Sequence, residues 1–264
     1  MSKQIGLIKV KGSLDGVSFY QSEGENFVRM SKGPSKKRIL TDPAFKRTRE
    51  NNVEFGASAK VAKALRVVLT PVIKMAEKRI TSRIVTVFKS INIKGSGARG
   101  QRTIEVSKFG SELEKFELNS TRPLASVFKA PVNAEHIAAR NTASIVIPAF
   151  NPAEVVTPVP GATHFRLIHV LGVVSDYSFI PATGKYEPME PKLDTLHGAN
   201  YSDYITLEKG VIPEMTITVE LPGLPTMSAK TGVVQGLGIL YYQSLVDGFY
   251  PLKQADAFKI IAVF

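Results

Sequence analysis

The chain contains no cysteine and no tryptophan. The first absence excludes disulfides, thiolate catalysis and every zinc site that needs a cysteine ligand. Long apolar runs are also missing. The longest candidate, residues 211–242, is broken by Pro213, Pro222, Pro225 and several glycines, so nothing reaches the ~20 apolar residues of a membrane helix. The opening Met1-Ser2-Lys3-Gln4-Ile5 lacks the apolar core of a signal peptide. The expectation is a cytoplasmic product with no membrane partner, whose release would take a route such as lysis.

Reaction signatures are equally scarce. The four histidines, His136, His164, His169 and His197, show no metal-binding spacing. There is no Gly-x-Ser-x-Gly elbow and no phosphate-binding Walker loop. The stretch 95–100 matches Gly-x-Gly-x-x-Gly by letter. The residues after it read as a strand, whereas the physical motif needs a helix whose N-terminus meets the pyrophosphate, so this segment is read as a mobile basic loop. Glu187, Glu190, Asp194 and Asp203 form a mildly acidic stretch that reads as solvated, or as a contact for the basic section of a neighbouring copy. These absences point to a non-enzymatic chain with no cofactor, no metal and no identified small-molecule substrate.

What is present is a divided charge. Residues 1–130 hold 26 of the 34 Lys and Arg against 11 of the 23 Asp and Glu, a formal net of +15; residues 131–264 hold 8 against 12, a net of −4. Such asymmetry points to a basic surface aimed at a polyanion or an acidic partner. With 264 residues, 44% of them hydrophobic and 22% charged, the chain has the length and composition of one large or two ordinary globular domains.

The pattern along the chain predicts an α+β fold in two parts: a basic N-terminal β-meander plus helical hairpin over 1–100, and an antiparallel β-sandwich, jelly-roll-like, over 101–264. Residues 5–10, 17–20 and 27–30 read as short strands separated by glycine turns at 12–16 and 22–26. Residues 33–41 read as a basic linker. A first helix starts at Thr41 or Asp42 with Pro43 in its first turn. Phe45, Phe55, Ala59, Ala62, Leu65 and Leu69 gather on one side of it, and the small residues 56–59 invite close approach by another backbone. Thr70-Pro71 restarts the pattern, with a second helix ending near Arg83 or, at most, near 91. Later strands are expected at 103–106, 116–118, Thr142–Ile147, 165–174, 216–221, 232–243 and 255–263, with a type I′ turn at Asp247-Gly248. Their spacing, with Pro and Gly between them, argues a sandwich or jelly roll.

Two functional readings follow from the charge. In the first, the chain is a self-assembling homo-oligomeric subunit whose N-terminal section connects neighbours; sheet edges accept an added strand, and head-to-tail association closes into a ring or runs on as a filament. In the second, Lys32, Lys36, Lys37, Arg38, Lys46, Arg47, Arg49, Lys60, Lys63, Arg99 and Arg102 track the phosphates of nucleic acid without reading sequence. A third reading, an enzyme or sugar-binding module in the sandwich, rests on Tyr177, Tyr186, Tyr201, Tyr204, Tyr241 and Tyr242, which could line a groove.

Residues 11–20 (Lys-Gly-Ser-Leu-Asp-Gly-Val-Ser-Phe-Tyr), Val28-Arg29 and the stretch from Thr41-Asp42-Pro43 to Glu54-Phe55-Gly56 resemble a family of basic proteins of roughly domain-scale length, about 260 residues, found in Bacteroidota genomes and their phages. Residues 234–239 and Phe258-Lys259-Ile260 are similar too, so the resemblance covers most of the chain. It carries no assigned activity and implies a non-enzymatic role in a mobile-element particle, possessing no catalytic residue to transfer.

Overall fold

Two short turns shape the first sheet. Asp15 and Gly16 adopt φ of 43° and 75°, and Glu23 and Gly24 adopt 52° and 83°. Two successive positive φ values make the I′ turn, whose twist matches that of paired strands. The computed structural model describes residues 2–30, 33–252 and 256–264. In it these turns join β2 (Gly12–Leu14) to β3 (Val17–Ser22) and β3 to β4 (Glu25–Met30), while β1 (Ser2–Lys3) pairs with β4. The result is an antiparallel meander of order β1-β4-β3-β2. Residues 5–10, expected as a strand, form none.

The expected linker 33–41 is mostly helix: α1 spans Lys36–Thr41, and the Ser35 side chain accepts from the Arg38 N–H as its cap. Asp42 caps the following 3-10 turn, Pro43–Phe45, by accepting from Ala44 N–H. α2 then runs over Lys46–Val68.

The chain divides into two compact units, Met1–Arg49 and Glu50–Phe264. The division falls inside α2 and not near residue 100, because the helices after Arg49 share a core with the strands. α3 (Ile80–Lys94) is preceded by a 3-10 turn, Ile73–Met75. Thr70-Pro71 therefore starts no α-helix, and the β-branched stretch 84–88 continues the helix instead of ending it, since Ile84, Val85 and Phe88 are buried. Short helices α4 (Val106–Phe109) and α5 (Leu124–Val127) follow. The strands expected at 103–106 and 116–118 are reduced to single bridges, Ile104 to Tyr177 and Glu117 to Lys259.

Three layers make up the larger unit. β5 (Asn133–His136), β6 (Thr142–Ile147), α6 (Pro152–Val155) and β7 (His164–Ser175) lead to a small hairpin of β8 (Tyr177–Ile180) and β9 (Lys185–Pro188). β10 (His197–Tyr201), β11 (Ile205–Thr206), β12 (Met215–Glu220), β13 (Thr231–Leu245), β14 (Gly248–Pro251) and β15 (Ala257–Val263) complete the chain. The main sheet has the order β10-β7-β13-β14, with β11 on β7 and β15 on β13; a second sheet has the order β12-β6-β5, and all pairings are antiparallel.

Strand alternation decides which layer each side chain meets. Phe165, Leu167, Leu237, Ile239 and Tyr241 face the second sheet and pack with Ile145, Ile147 and Ile217. Ile168, Val170, Val174 and Val234 face the other way and pack with Val61, Leu65, Ile84 and Phe88 of α2 and α3. The fold is thus α+β, a sandwich-like antiparallel pair of sheets with helices on the main sheet's outer face. Close approach needs glycine here: a Cβ on Gly172 would lie 2.3 Å from Val68 Cγ1, and one on Gly236 would lie 2.2 Å from Phe258 Cζ.

The apolar stripe of α2 departs from expectation. Its buried residues are Glu54, Ala57, Ser58, Val61, Ala62, Ala64, Leu65 and Val68, whereas Phe55 and Ala59 are exposed. The Leu245-to-Gly248 turn forms, but among its residues only Gly248 has positive φ, so it is not type I′. Among the described residues no helix is long and apolar enough to cross a membrane.

Candidate interaction surfaces

In the N-terminal unit no described residue is buried. Several of its apolar side chains face outward: Ile5 is 94% exposed, Leu7 104%, Ile8 83%, Leu14 70% and Met30 60%. The unit holds eleven Lys and Arg against four Asp and Glu, a formal net of +7. Its polar order is local. Arg38 Nε donates to Asp42 Oδ2 at 3.1 Å, and its guanidinium lies 5.5 Å over the Phe45 ring. Arg49 Nη1 donates to the carbonyls of Ile39 and Asp42, both at 2.8 Å. The Asp42 carboxyl is held below the usual range, first by the Ala44 N–H and then by Arg38.

Of the eleven expected contact residues, Lys32 lies outside the described residues. Lys36, Lys37, Lys46 and Arg47 are exposed on the helical segment 36–49. Arg38 and Arg49 are engaged as above.

The remaining four belong to the larger unit, where most are spent on structure. Lys60 Nζ donates to Glu187 Oε2 at 2.6 Å and to the Tyr186 carbonyl at 2.8 Å. Arg99 pairs with Glu50 at 3.8 Å. Lys63 is exposed.

Arg102 is a core tie. Its Nε and Nη2 donate to Glu54 at 2.8 and 2.7 Å. Glu54, 1% exposed, also accepts from Lys89 Nζ at 2.6 Å and from Gly100 N–H at 2.8 Å. Burial alone would raise this carboxyl, but the donors outweigh it and lower its pKa to about 2. Asn92 and Tyr186 donate to the Arg102 carbonyl, each at 2.8 Å.

The segment 95–100, read as mobile, is therefore pinned from α2, and Ser96 N–H and carbonyl both bond Thr103. Sequence reasoning missed Glu54, one of two carboxylates, with Glu50, in a cationic helix; its place on the buried stripe was the available signal.

The other flagged groups are mostly structural. Glu190 accepts from Ser228 Oγ at 2.7 Å. Asp194 accepts from Ser175 N–H and from the Tyr177 hydroxyl at 2.9 and 2.6 Å. Glu187 is tied to Lys60, Asp203 has no side-chain partner among the described residues, and no paired carboxylate site forms among them.

His169 is fully buried between the sheets, bonded through Nδ1 to the Ile217 carbonyl at 2.8 Å and through Nε2 to Gln235 at 3.2 Å. Burial lowers its pKa to about 4, against the raising effect of the Ile217 bond. No group of three or more metal-ligating side chains occurs among the described residues. Tyr177, Tyr186 and Tyr241 are buried; Tyr201, Tyr204 and Tyr242 collect on one face near Arg166 and Phe249.

Against known protein families, curated proteins and solved structures, the chain matches none.

Proposed function

We propose that the chain is a non-enzymatic structural subunit that assembles with copies of itself, the N-terminal unit serving as connector. The observation that carries this is the four-stranded sheet without a buried residue. A sheet needs an apolar face packed on something to hold its shape. Covering Ile5, Leu7, Ile8, Leu14 and Met30 would contribute about 1.5–3 kcal/mol each, before the ordering cost of association. The unit's +7 and the −4 of residues 131–264 favour contact between unlike parts of neighbouring copies, a head-to-tail arrangement that gives a ring, a filament or a closed particle. The resemblance to Bacteroidota and phage proteins suits a particle subunit made in the cytoplasm and released by lysis.

Light scattering on the full chain across concentration and salt tests this. Assemblies of several chain masses are expected, reduced by the surface change Leu7→Glu with Ile8→Glu. A monomer at every concentration and salt would overturn it.

A second reading, sequence-independent nucleic-acid binding, is favoured by Lys36, Lys37 and Lys46, exposed and without an ion-pair partner among the described residues. Its test is affinity for arbitrary DNA against salt, where several phosphate contacts give a steep negative slope; no binding at low salt excludes it.

A further inference from the structure

Residues 131–264 carry twelve Asp and Glu but only two arginines, Arg140 and Arg166. Arg140 is spent internally, its terminal nitrogens donating to the carbonyls of Thr231 and Ser228 at 3.1 and 2.7 Å. Arg166 is different. Cross-strand register puts His164 opposite Tyr242, and Tyr201 opposite Ile168, so these side chains and Arg166 share one face of the main sheet. Tyr204 stacks on Phe249 with centroids 3.9 Å apart and planes 9° apart. That leaves the opposite face of Tyr204 for the Arg166 guanidinium, 4.7 Å from its centroid, and the same guanidinium lies 4.8 Å over Tyr201. Nε donates to the Ser202 carbonyl at 2.7 Å, which fixes the plane of the group. Tyr201, Tyr204 and Phe249 remain 37–39% exposed as residues.

We infer that Arg166, held between Tyr201 and Tyr204, is a receptor for an oxyanion, a carboxylate or a phosphate.

The rings strip water from the guanidinium's faces and contribute cation–π attraction. A guanidinium presents its N–H groups only in its own plane. Nε is occupied, while Nη1 and Nη2 have neither a hydrogen-bond acceptor nor an ion-pair partner among the described residues. The hydroxyls of Tyr201 and Tyr204 are likewise without partners among the described residues. A half-desolvated cation without counter-charge is costly, and an orientated fork of N–H groups matches carboxylate and phosphate oxygens two at a time. The exposed ring edges beside it favour an anion carrying an apolar or planar body over a bare ion. This site is independent of the assembly reading: the carboxylate could come from a protein side chain or a small acid, the phosphate from a phosphate ester.

The test uses the full chain and four probes, acetate, benzoate, inorganic phosphate and phenyl phosphate, titrated against chloride at constant ionic strength. The readouts are the Arg166 Nε–H cross-peak and the Tyr201 and Tyr204 ring signals in NMR. Saturable shifts are expected, with benzoate or phenyl phosphate binding at least about threefold more tightly than acetate or phosphate. Arg166→Lys keeps the charge but loses the fork, and is expected to weaken binding roughly tenfold on the ring signals; its unchanged melting midpoint would show that it folds. Carboxylates alone, phosphates alone or both would support the site and identify its source. Absence of a saturable shift from all four, an equal shift with chloride, or equal affinity in Arg166→Lys would overturn it.

Discussion

Arg102 closes on Glu54 with two parallel hydrogen bonds of 2.8 and 2.7 Å, joining a loop to a helix 48 residues earlier. Both side chains are largely withdrawn from water, at 20% and 1% exposure. Removing Arg102 takes away two charge-assisted hydrogen bonds but leaves the Glu54 carboxylate paired with Lys89 and the Gly100 N–H. Arg102→Ala is expected to cost about 1.5–3 kcal/mol, read as a lower urea midpoint with unchanged slope.

The same carboxyl sets an acid limit. Its folded pKa of about 2 lies below the ordinary 4.5, so its contribution is complete above pH 4.5 and disappears as pH falls towards 2. A depression of that size corresponds to ~3 kcal/mol. Glu54→Gln should flatten the stability curve between pH 4.5 and 2 in urea titrations.

His169 acts in a separate window. Its folded pKa, about 4 against the ordinary 6.5, means that the unfolded chain takes up a proton first. Stability from this residue is complete above pH 6.5 and declines by up to ~3 kcal/mol as pH falls to 4. The His169 ring signal should stay flat between pH 8 and 5 in NMR while the urea midpoint already falls.

Asp256 runs in the opposite sense. Burial raises its carboxyl from 3.8 to about 6, despite the Tyr241 N–H bond and the nearby Arg122. Ionising it costs folding free energy increasingly from pH 3.8 to 6 and fully above that. Asp256→Asn keeps an acceptor for Tyr241 and should stabilise by ~1–3 kcal/mol at pH 8, with little effect at pH 3.5, as measured by melting midpoints.

Two glycines give opposite outcomes. Gly236→Ala places a methyl 2.2 Å from the Phe258 ring and should cost about 1–3 kcal/mol or more by overpacking. Gly56, helical and with nothing within 4 Å of an added Cβ, should gain up to about 1 kcal/mol as alanine. Thermal melts of the two variants check both signs.

Much of the sandwich was legible. Strands at Thr142–Ile147, 165–174, 216–221 and 232–243 announce themselves through alternation or long β-branched runs, and the structure places Phe165, Leu167 and His169 on one face as that alternation requires. The two long helices were legible in existence but not in orientation, whereas α1 read as linker and the short α4, α5 and α6 were not foreseen. Phe55 looked like core because a helical wheel ranks by hydrophobicity, whereas tertiary ties put Glu54 inside. Residues 103–106 looked like strand, yet Ile104 makes one bridge before the chain turns into α4. Tyr201 and Tyr204 were singled out by composition; Arg166 and Phe249 were not, since only cross-strand register brings them alongside.

The 15-residue strand β13 is the element on which the other layers of the larger unit close: it pairs with β7, β14 and β15 and presents one face to each core. It is also made late. A ribosome adding about 5–20 residues per second takes on the order of ten seconds to travel from the end of α2 to the start of β13. Until β13 arrives, Val61, Leu65 and Val68 have, of the main sheet, only β7 and its short partners β10 and β11 to pack against and lack the Val234 side of their core, so a stall before β13 leaves more apolar surface open than a stall after it.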